Sequence, residues 1–216
     1  SFNLKIISMQ SLLYDSKNCE LFTSPKTRKN FYNQLKKVIK LAAKLKIPNL
    51  VFGSPKNRII PNNISKIDAE KIAIKVFRKL GDYAYKNKTK ISIESNPKIY
   101  GTNFLNNIYE TYDFVKIVNH KSIRIILDTG ELLVHQNVKN IKKILELTKK
   151  FIHHVHISQP KLKPINNPKM VNYVLKELKK INYKKCVSIE IKNPGDNKLN
   201  LITKSIKTVI KAKKLI

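Results

Sequence analysis

The sequence predicts an α/β fold, a TIM-type (β/α)8 barrel, and three observations carry that prediction. Short apolar runs alternate with segments of helical periodicity along the whole 216-residue chain, the pattern of right-handed βαβ units and a parallel sheet. Four of the apolar runs end on a chemically active side chain, Glu94, Asp128, His156 or Glu190, and a barrel draws its catalytic residues from the carboxyl ends of several strands. The rival, an open doubly wound sheet, requires a glycine-rich nucleotide loop at one switch point. With five glycines in all, the chain has no such loop.

Taken in order, Leu4–Leu13 (LKIISMQSLL) reads as the first strand, with Gln10 and Ser11 near its end. Asn30–Leu45 then carries Phe31, Leu35, Val38, Ala42 and Leu45, the spacing of one helix face, and Pro48 stops it. Asn49–Phe52 is a second strand that runs into Gly53-Ser54-Pro55-Lys56-Asn57-Arg58. Ser65, with Asp68 three residues on, starts a helix bearing Ile72, Val76, Phe77, Leu80 and Ala84. Strands at Ile91–Glu94, Ile123–Leu127, Phe151–Ile157 and Cys186–Ile191 follow. Between and after them lie helices at Asn103–Val118, Val138–Lys149, Pro168–Ile181 and Leu199–Ala212. The count is six strands, where a barrel needs eight. No linker, low-complexity segment or second domain interrupts the alternation, so residues 1–216 read as one domain.

Composition narrows the partners. The net charge of +30 invites a nucleic-acid reading. The basic residues, however, are 40 lysines and only four arginines (Arg28, Arg58, Arg78, Arg124), and base-edge and bidentate phosphate recognition favours arginine. The lysines are spread over every helix, which is the pattern of a solvated surface, so nucleic acid is the disfavoured partner. Cys19 and Cys186 form no metal-finger or CxxC spacing, and a reducing, cytoplasmic compartment fits them. No apolar run approaches membrane-spanning length, and the first residues do not form a signal peptide.

The four polar strand ends carry the chemistry. Glu94 (ISIESNP), Asp128 (IILDTGE), His156 (HHVHISQP) and Glu190 (VSIEIKNP) follow one another at 34, 28 and 34 residues, each close to one βα repeat. That spacing brings them to the same height on successive strands. Each residue alone has a plain structural explanation: an acid at a strand end caps the next helix, and Asp128 before Thr129-Gly130 suits a turn. His154 and His156 point to the opposite side from His153 and Val155. Four coincidences at matched register point instead to one divalent ion, Mn²⁺, Mg²⁺, Co²⁺ or Zn²⁺, in an oxygen-rich site with one imidazole. Without a cation, three crowded carboxylates repel one another and their pKa values rise.

With SMQSLLY (Ser8–Tyr14), VFGSPKNR (Val51–Arg58), IESNP (Ile93–Pro97), LDTGEL (Leu127–Leu132), HVHIS (His154–Ser158) and IEIKNP (Ile189–Pro194), the chain resembles the sugar phosphate isomerase/epimerase family. These are xylose isomerase-like TIM barrels related to tagatose and psicose 3-epimerases and to endonuclease IV. In that family the metal ligands end the last four strands. The resemblance therefore implies a chain that starts at strand three and lacks the first two βα units, roughly 60 residues on the usual repeat length.

The resemblance also implies a metal-dependent sugar or sugar phosphate isomerase that needs no organic cofactor. Glu94 and Glu190 would exchange the carbon-bound proton, while Asp128 and His156 mainly hold the metal. Lys56 and Arg58 are expected to bind a substrate phosphate or carboxylate, and Asn96 and Gln10 substrate hydroxyls. Two departures separate the chain from ketohexose epimerases: Glu131 stands where they have a substrate-contacting histidine, and no arginine follows His156 in its strand-end loop. An endonuclease IV-like activity on abasic DNA needs three zinc ions and a histidine-rich ligand set, and the chain has five histidines. A non-catalytic, sugar-binding relic is the remaining alternative. Self-association is left open.

Overall fold

Asn49–Phe52 (NLVF) is buried along its whole length and forms β1, the strand on which the first half of the chain is built. The computed structural model describes residues 4–193, 195 and 199–214, and the chain falls into two compact units, Ser1–Ile126 and Leu127–Ile216. In the first unit, α1 (Pro25–Lys44) begins five residues earlier than the periodicity alone suggests. A capping box sets that start: the Ser24 hydroxyl accepts the Thr27 amide, and the Thr27 hydroxyl accepts the Ser24 amide, both at 3.1 Å. Pro25 at the first helical position costs nothing there, because that amide has no intrahelical partner. Phe31, Leu35, Ile39 and Ala42 form the buried stripe.

Ser65 caps α2 (Lys66–Lys86) as expected, accepting the Asp68 amide. Next, β2 (Lys90–Ile93) pairs in parallel with β1, from Asn49↔Lys90 to Phe52↔Ile93. The helix expected from Asn103 starts only at Ile108. Its α3 (Ile108–Val118) is capped by Asn107, whose side chain accepts the Glu110 amide. A parallel register of Ile91↔Ile123 to Ile93↔Ile125 joins β2 to β3 (Ile123–Asp128), whose last two residues open the second unit.

The second unit continues directly into α4 (Thr129–Val134), a short helix absent from the sequence reading. The helix expected over Val138–Lys149 divides into a 3₁₀ turn at Val138–Asn140 and α5 (Ile141–Thr148). There follow β4 (Ile152–Ile157), α6 (Pro168–Lys180), β5 (Val187–Ile189) and α7 (Leu199–Lys214). β4 and β5 pair in parallel from Val155↔Val187 to Ile157↔Ile189. Pro194, the last residue of the IEIKNP motif, lies outside the described residues. No described helix is long and apolar enough to cross a membrane.

Five strands are therefore described, not six. The expected strand at Leu4–Leu13 contributes a single parallel bridge, Met9 to Leu50, with the Met9 amide on the Asn49 carbonyl (3.0 Å) and the Val51 amide on the Met9 carbonyl (2.8 Å). The stretch is apolar enough for a strand, but Leu4, Ile6 and Ile7 are exposed, Leu4 by 83%. A strand of this composition is stabilised by covering its faces and edges, and the hydrogen bonds that tie this segment to β1 are those of the Met9 backbone and of the Ser8 hydroxyl, which accepts Asn49 Nδ2 at 2.8 Å.

Six phenylalanines knit the first unit together. Edge-to-face contacts run from Phe22 to Phe104 (5.1 Å between ring centres), Phe114 (5.7 Å), Phe77 (5.5 Å), Phe52 (5.1 Å) and Phe31 (5.7 Å). Phe77 is central, touching Phe31, Phe52 and Phe114. Such pairs add to the burial of the rings themselves. Phe77→Ala is expected to destabilise the protein by about 3–5 kcal/mol, since the cavity is walled by rigid rings that cannot collapse into it. A denaturant titration checks this, and a loss below 1 kcal/mol would refute the cluster's central role.

Candidate metal centre

Each unit builds its polar strand ends by the same local device. Glu94 and Glu190 each stand one residue beyond a strand, β2 and β5. Their amides remain in the ladder: Glu94 donates to the Phe52 carbonyl and Glu190 to the Ile157 carbonyl, both at 3.0 Å. The backbone is thus held in strand register while the side chain stands clear of the sheet's end.

In the second unit, Asp128 is the last residue of β3 and also the N-cap of α4. Its Oδ1 accepts the Glu131 amide at 2.7 Å, and its Oδ2 accepts the Ser158 hydroxyl at 2.6 Å. Ser158 in turn accepts the Gly130 amide at 2.7 Å. The Thr129 hydroxyl and the Ser158 backbone bond in both directions at 2.8 Å. Gly130 is required at its position, because a Cβ there would stand 2.6 Å from the Ser158 hydroxyl. Sequence reasoning missed Ser158; its only sequence signal was its place in HVHIS, directly after the strand.

His156 is buried on β4, with its Nδ1 3.3 Å from Oε2 of Glu190. His154 lies on the same side of the strand, its ring 5.2 Å from that of His156 and its Nε2 2.8 Å from the Ser188 hydroxyl. One ligand atom each from Asp128, His156 and Glu190 lies within 4.8 Å of the others. Two carboxylates and an imidazole at this separation suit a divalent ion of borderline hardness. The internal hydrogen bonds to its two oxygens fix the orientation of the Asp128 carboxylate. The residues fit the ion expected from the sequence.

A family model, that of the xylose isomerase-like TIM barrel, matches residues 3–212. The chain belongs to this family. Among solved structures, it is similar to a D-tagatose 3-epimerase-like protein, with a TM-score of 0.77 at 20% identity over 99% of this chain and 79% of that one. It is similar also to 3-keto-D-glucoside 4-epimerase from E. coli, with a TM-score of 0.75 at 16% identity over 88% and 74%. AP endonuclease, family 2, from Brucella melitensis gives 0.73 at 16% identity over 92% and 77%. At these identities the likeness is one of fold. No curated protein matches the sequence.

The remaining expected site residues of this TIM-barrel protein are placed unevenly. Lys56 is exposed and lines a cavity of about 620 Å³ with Ser11, Tyr14, Ser54 and Asn57. Gln10 is exposed just past the Met9 bridge. Asn96 is half-buried, and its Oδ1 accepts a guanidinium hydrogen from Arg58 at 2.9 Å. Arg58, expected to hold a substrate anion, is 0% exposed and turned into the protein, where its Nη2 donates to the carbonyl of Glu94, the residue after β2. Burial lowers its pKa to about 10, against an opposite pull from Glu94 and Glu110, so it is charged at neutral pH. Glu131, expected among the substrate contacts, is 1% exposed on α4, and its Oε1 lies 3.9 Å from the His135 imidazole. Its short helix buries it, so in this structure its carboxylate meets other protein groups and no solvent.

Ser158→Ala removes the hydroxyl from Asp128 and leaves the buried Gly130 amide without an acceptor, which is expected to cost about 1–3 kcal/mol of stability. Chemical denaturation of the two proteins reads this directly, and equal midpoints would show that the Ser158 clamp contributes nothing.

Proposed function

We propose that this protein is a divalent-metal-dependent isomerase or epimerase acting on a sugar or sugar phosphate. The cluster of Asp128, His156 and Glu190 at strand ends, with ligand atoms within 4.8 Å, carries the reading. The similarity in fold to a 3-keto-D-glucoside 4-epimerase and to a D-tagatose 3-epimerase-like protein supports it. In this reading Glu94 is the fourth ligand: it follows β2 as Glu190 follows β5, with its amide held in the ladder in the same way.

When bound, the ion would supply Lewis-acid stabilisation for negative charge on adjacent substrate oxygens. Glu190 takes the proton from the carbon beside the substrate carbonyl, and the C–H electron pair passes into an enediolate. Glu94 returns a proton to carbon, so no redox partner is needed. His156, 3.3 Å from the Glu190 carboxylate, fixes that group's orientation. Asp128, anchored by Ser158 and its own helix, is a rigid anionic ligand and moves no proton. In this reading Lys56, which is exposed, holds a substrate phosphate.

Two measurements test this. Asp128→Asn removes a charge with little change of shape, and elemental analysis is expected to find metal in the wild type and most of it gone from the variant. Incubation with ketoses and sugar phosphates in D₂O is expected to place deuterium on the carbon beside the carbonyl of at least one of them. Glu190→Gln should slow that exchange by about 10²–10⁴-fold, the usual contribution of a positioned base. Exchange at the wild-type rate in Glu190→Gln, or turnover of an abasic DNA duplex in place of any sugar, would overturn the proposal.

A further inference from the structure

A buried arginine with no carboxylate in ion-pair contact among the described residues is an unusual resident of a core, and Arg58 is one. Its side chain is 0% exposed, beside the face of Phe52, with 5.8 Å from Cζ to the ring centre. Only Nη2 is used: it donates to the Glu94 carbonyl and to Asn96 Oδ1, both at 2.9 Å. Nε and Nη1 are buried without a hydrogen-bond partner among the described residues. Taking a guanidinium out of water and leaving two of its nitrogens unpaired is destabilising compared with an apolar chain of the same length. Fold stability therefore does not account for the residue.

Its contacts do. The carbonyl of Glu94 lies beyond the end of β2 at Ile93 and accepts a hydrogen bond from Arg58 Nη2. With the Glu94 amide on Phe52, both backbone groups of this residue are then fixed. The side chains of Glu94 and Asn96 lie over Gly53, where a Cβ would stand 2.7 Å from Glu94 Oε2 and 3.3 Å from Asn96 Oδ1. Asn96 is tied in turn by its amide to the Leu105 carbonyl (3.1 Å), and its carbonyl accepts Asn106 Nδ2 (2.8 Å). One guanidinium nitrogen thus sets the position of Glu94 relative to the loop that follows β1.

We propose that Arg58 is a positioning residue for Glu94, retained at a cost in stability to hold that carboxylate over Gly53. The inference rests on the reading of Glu94 as a ligand and proton carrier. A purely structural residue and a positioning residue respond differently to Arg58→Met, which keeps the volume and removes the charge and donors.

The expected result for Arg58→Met is a melting temperature equal to or above wild type, with amide hydrogen exchange at residues 94–97 clearly accelerated. Mn²⁺ affinity by calorimetry and deuterium incorporation by the sugar assay should each fall about 10–100-fold, the range for groups that orient a ligand, with the loss in kcat more than in KM. Arg58→Lys, which keeps a cation and can donate to both acceptors, should recover part of each, and it serves as the test if the methionine variant does not fold. A lower melting temperature with metal affinity, turnover and exchange at 94–97 all at wild-type values in the folded fraction would overturn the proposal. If wild type binds no metal and turns over no sugar, yet Arg58→Met still frees residues 94–97 at unchanged melting temperature, the positioning role stands and the proposed function falls.

Discussion

Asp128 spends both carboxylate oxygens inside the protein: Oδ1 receives the Glu131 amide and Oδ2 the Ser158 hydroxyl. This double acceptance is the constraint on which the second unit's site depends. It stops β3, starts α4 and ties the end of β3 to the residue after β4, all through one side chain. The geometry explains why the glycine at 130 and the serine at 158 are small. The two meet at 2.7 Å through amide and hydroxyl, and a Cβ on residue 130 would close that gap. An anion at a helix N-terminus is favoured by the exposed amides and the helix dipole, so the charge a metal would use also stabilises the fold that presents it.

Glu94 is held in a different way. Its carboxylate has no place in a helix cap; its position is set through the backbone, by a ladder amide on one side and the Arg58 guanidinium on the other. The two devices differ in what they do for stability. The Asp128 clamp pairs buried polar groups with one another, whereas Arg58 leaves two buried nitrogens without hydrogen-bond partners among the described residues. Sites that keep strained or under-satisfied groups do so where geometry matters more than stability.

What was legible in the sequence was what local chemistry dictates. β1 at Asn49–Phe52 was read to the residue, because an apolar run bounded by Pro48 and Gly53 has no competing pattern. The start of α2 was read from Ser65 and Asp68, since a cap and its acceptor lie within one turn. The strand-end residues were legible because a βα repeat spaces them evenly, and the three in the second unit lie together. The segment at Leu4–Leu13 misled for a related reason: its composition suits a strand, but pairing is a property of neighbours, and among the described residues its backbone bridges to the sheet at Met9 alone.

The sequence by itself determined the alternation of elements, the family and the chemical identity of the strand ends, because periodicity, capping and repeat spacing act over a few residues or one repeat. Only the tertiary structure decided what each polar side chain faces. Arg58 and Lys56 stand two residues apart after β1 and read alike as binders of a substrate phosphate or carboxylate. One is buried against Phe52 with its donors on Glu94 and Asn96, and the other is exposed beside a cavity. Glu131 stands at the position of a substrate-contacting histidine in the resemblance, yet on α4 it is buried. Ser158 carries no signal of its own, and acquires its role because β4 delivers its hydroxyl to a carboxylate 30 residues earlier in the chain. Which groups lose their water, and which partner replaces it, depends on contacts between distant segments, and that information exists only once the chain has folded.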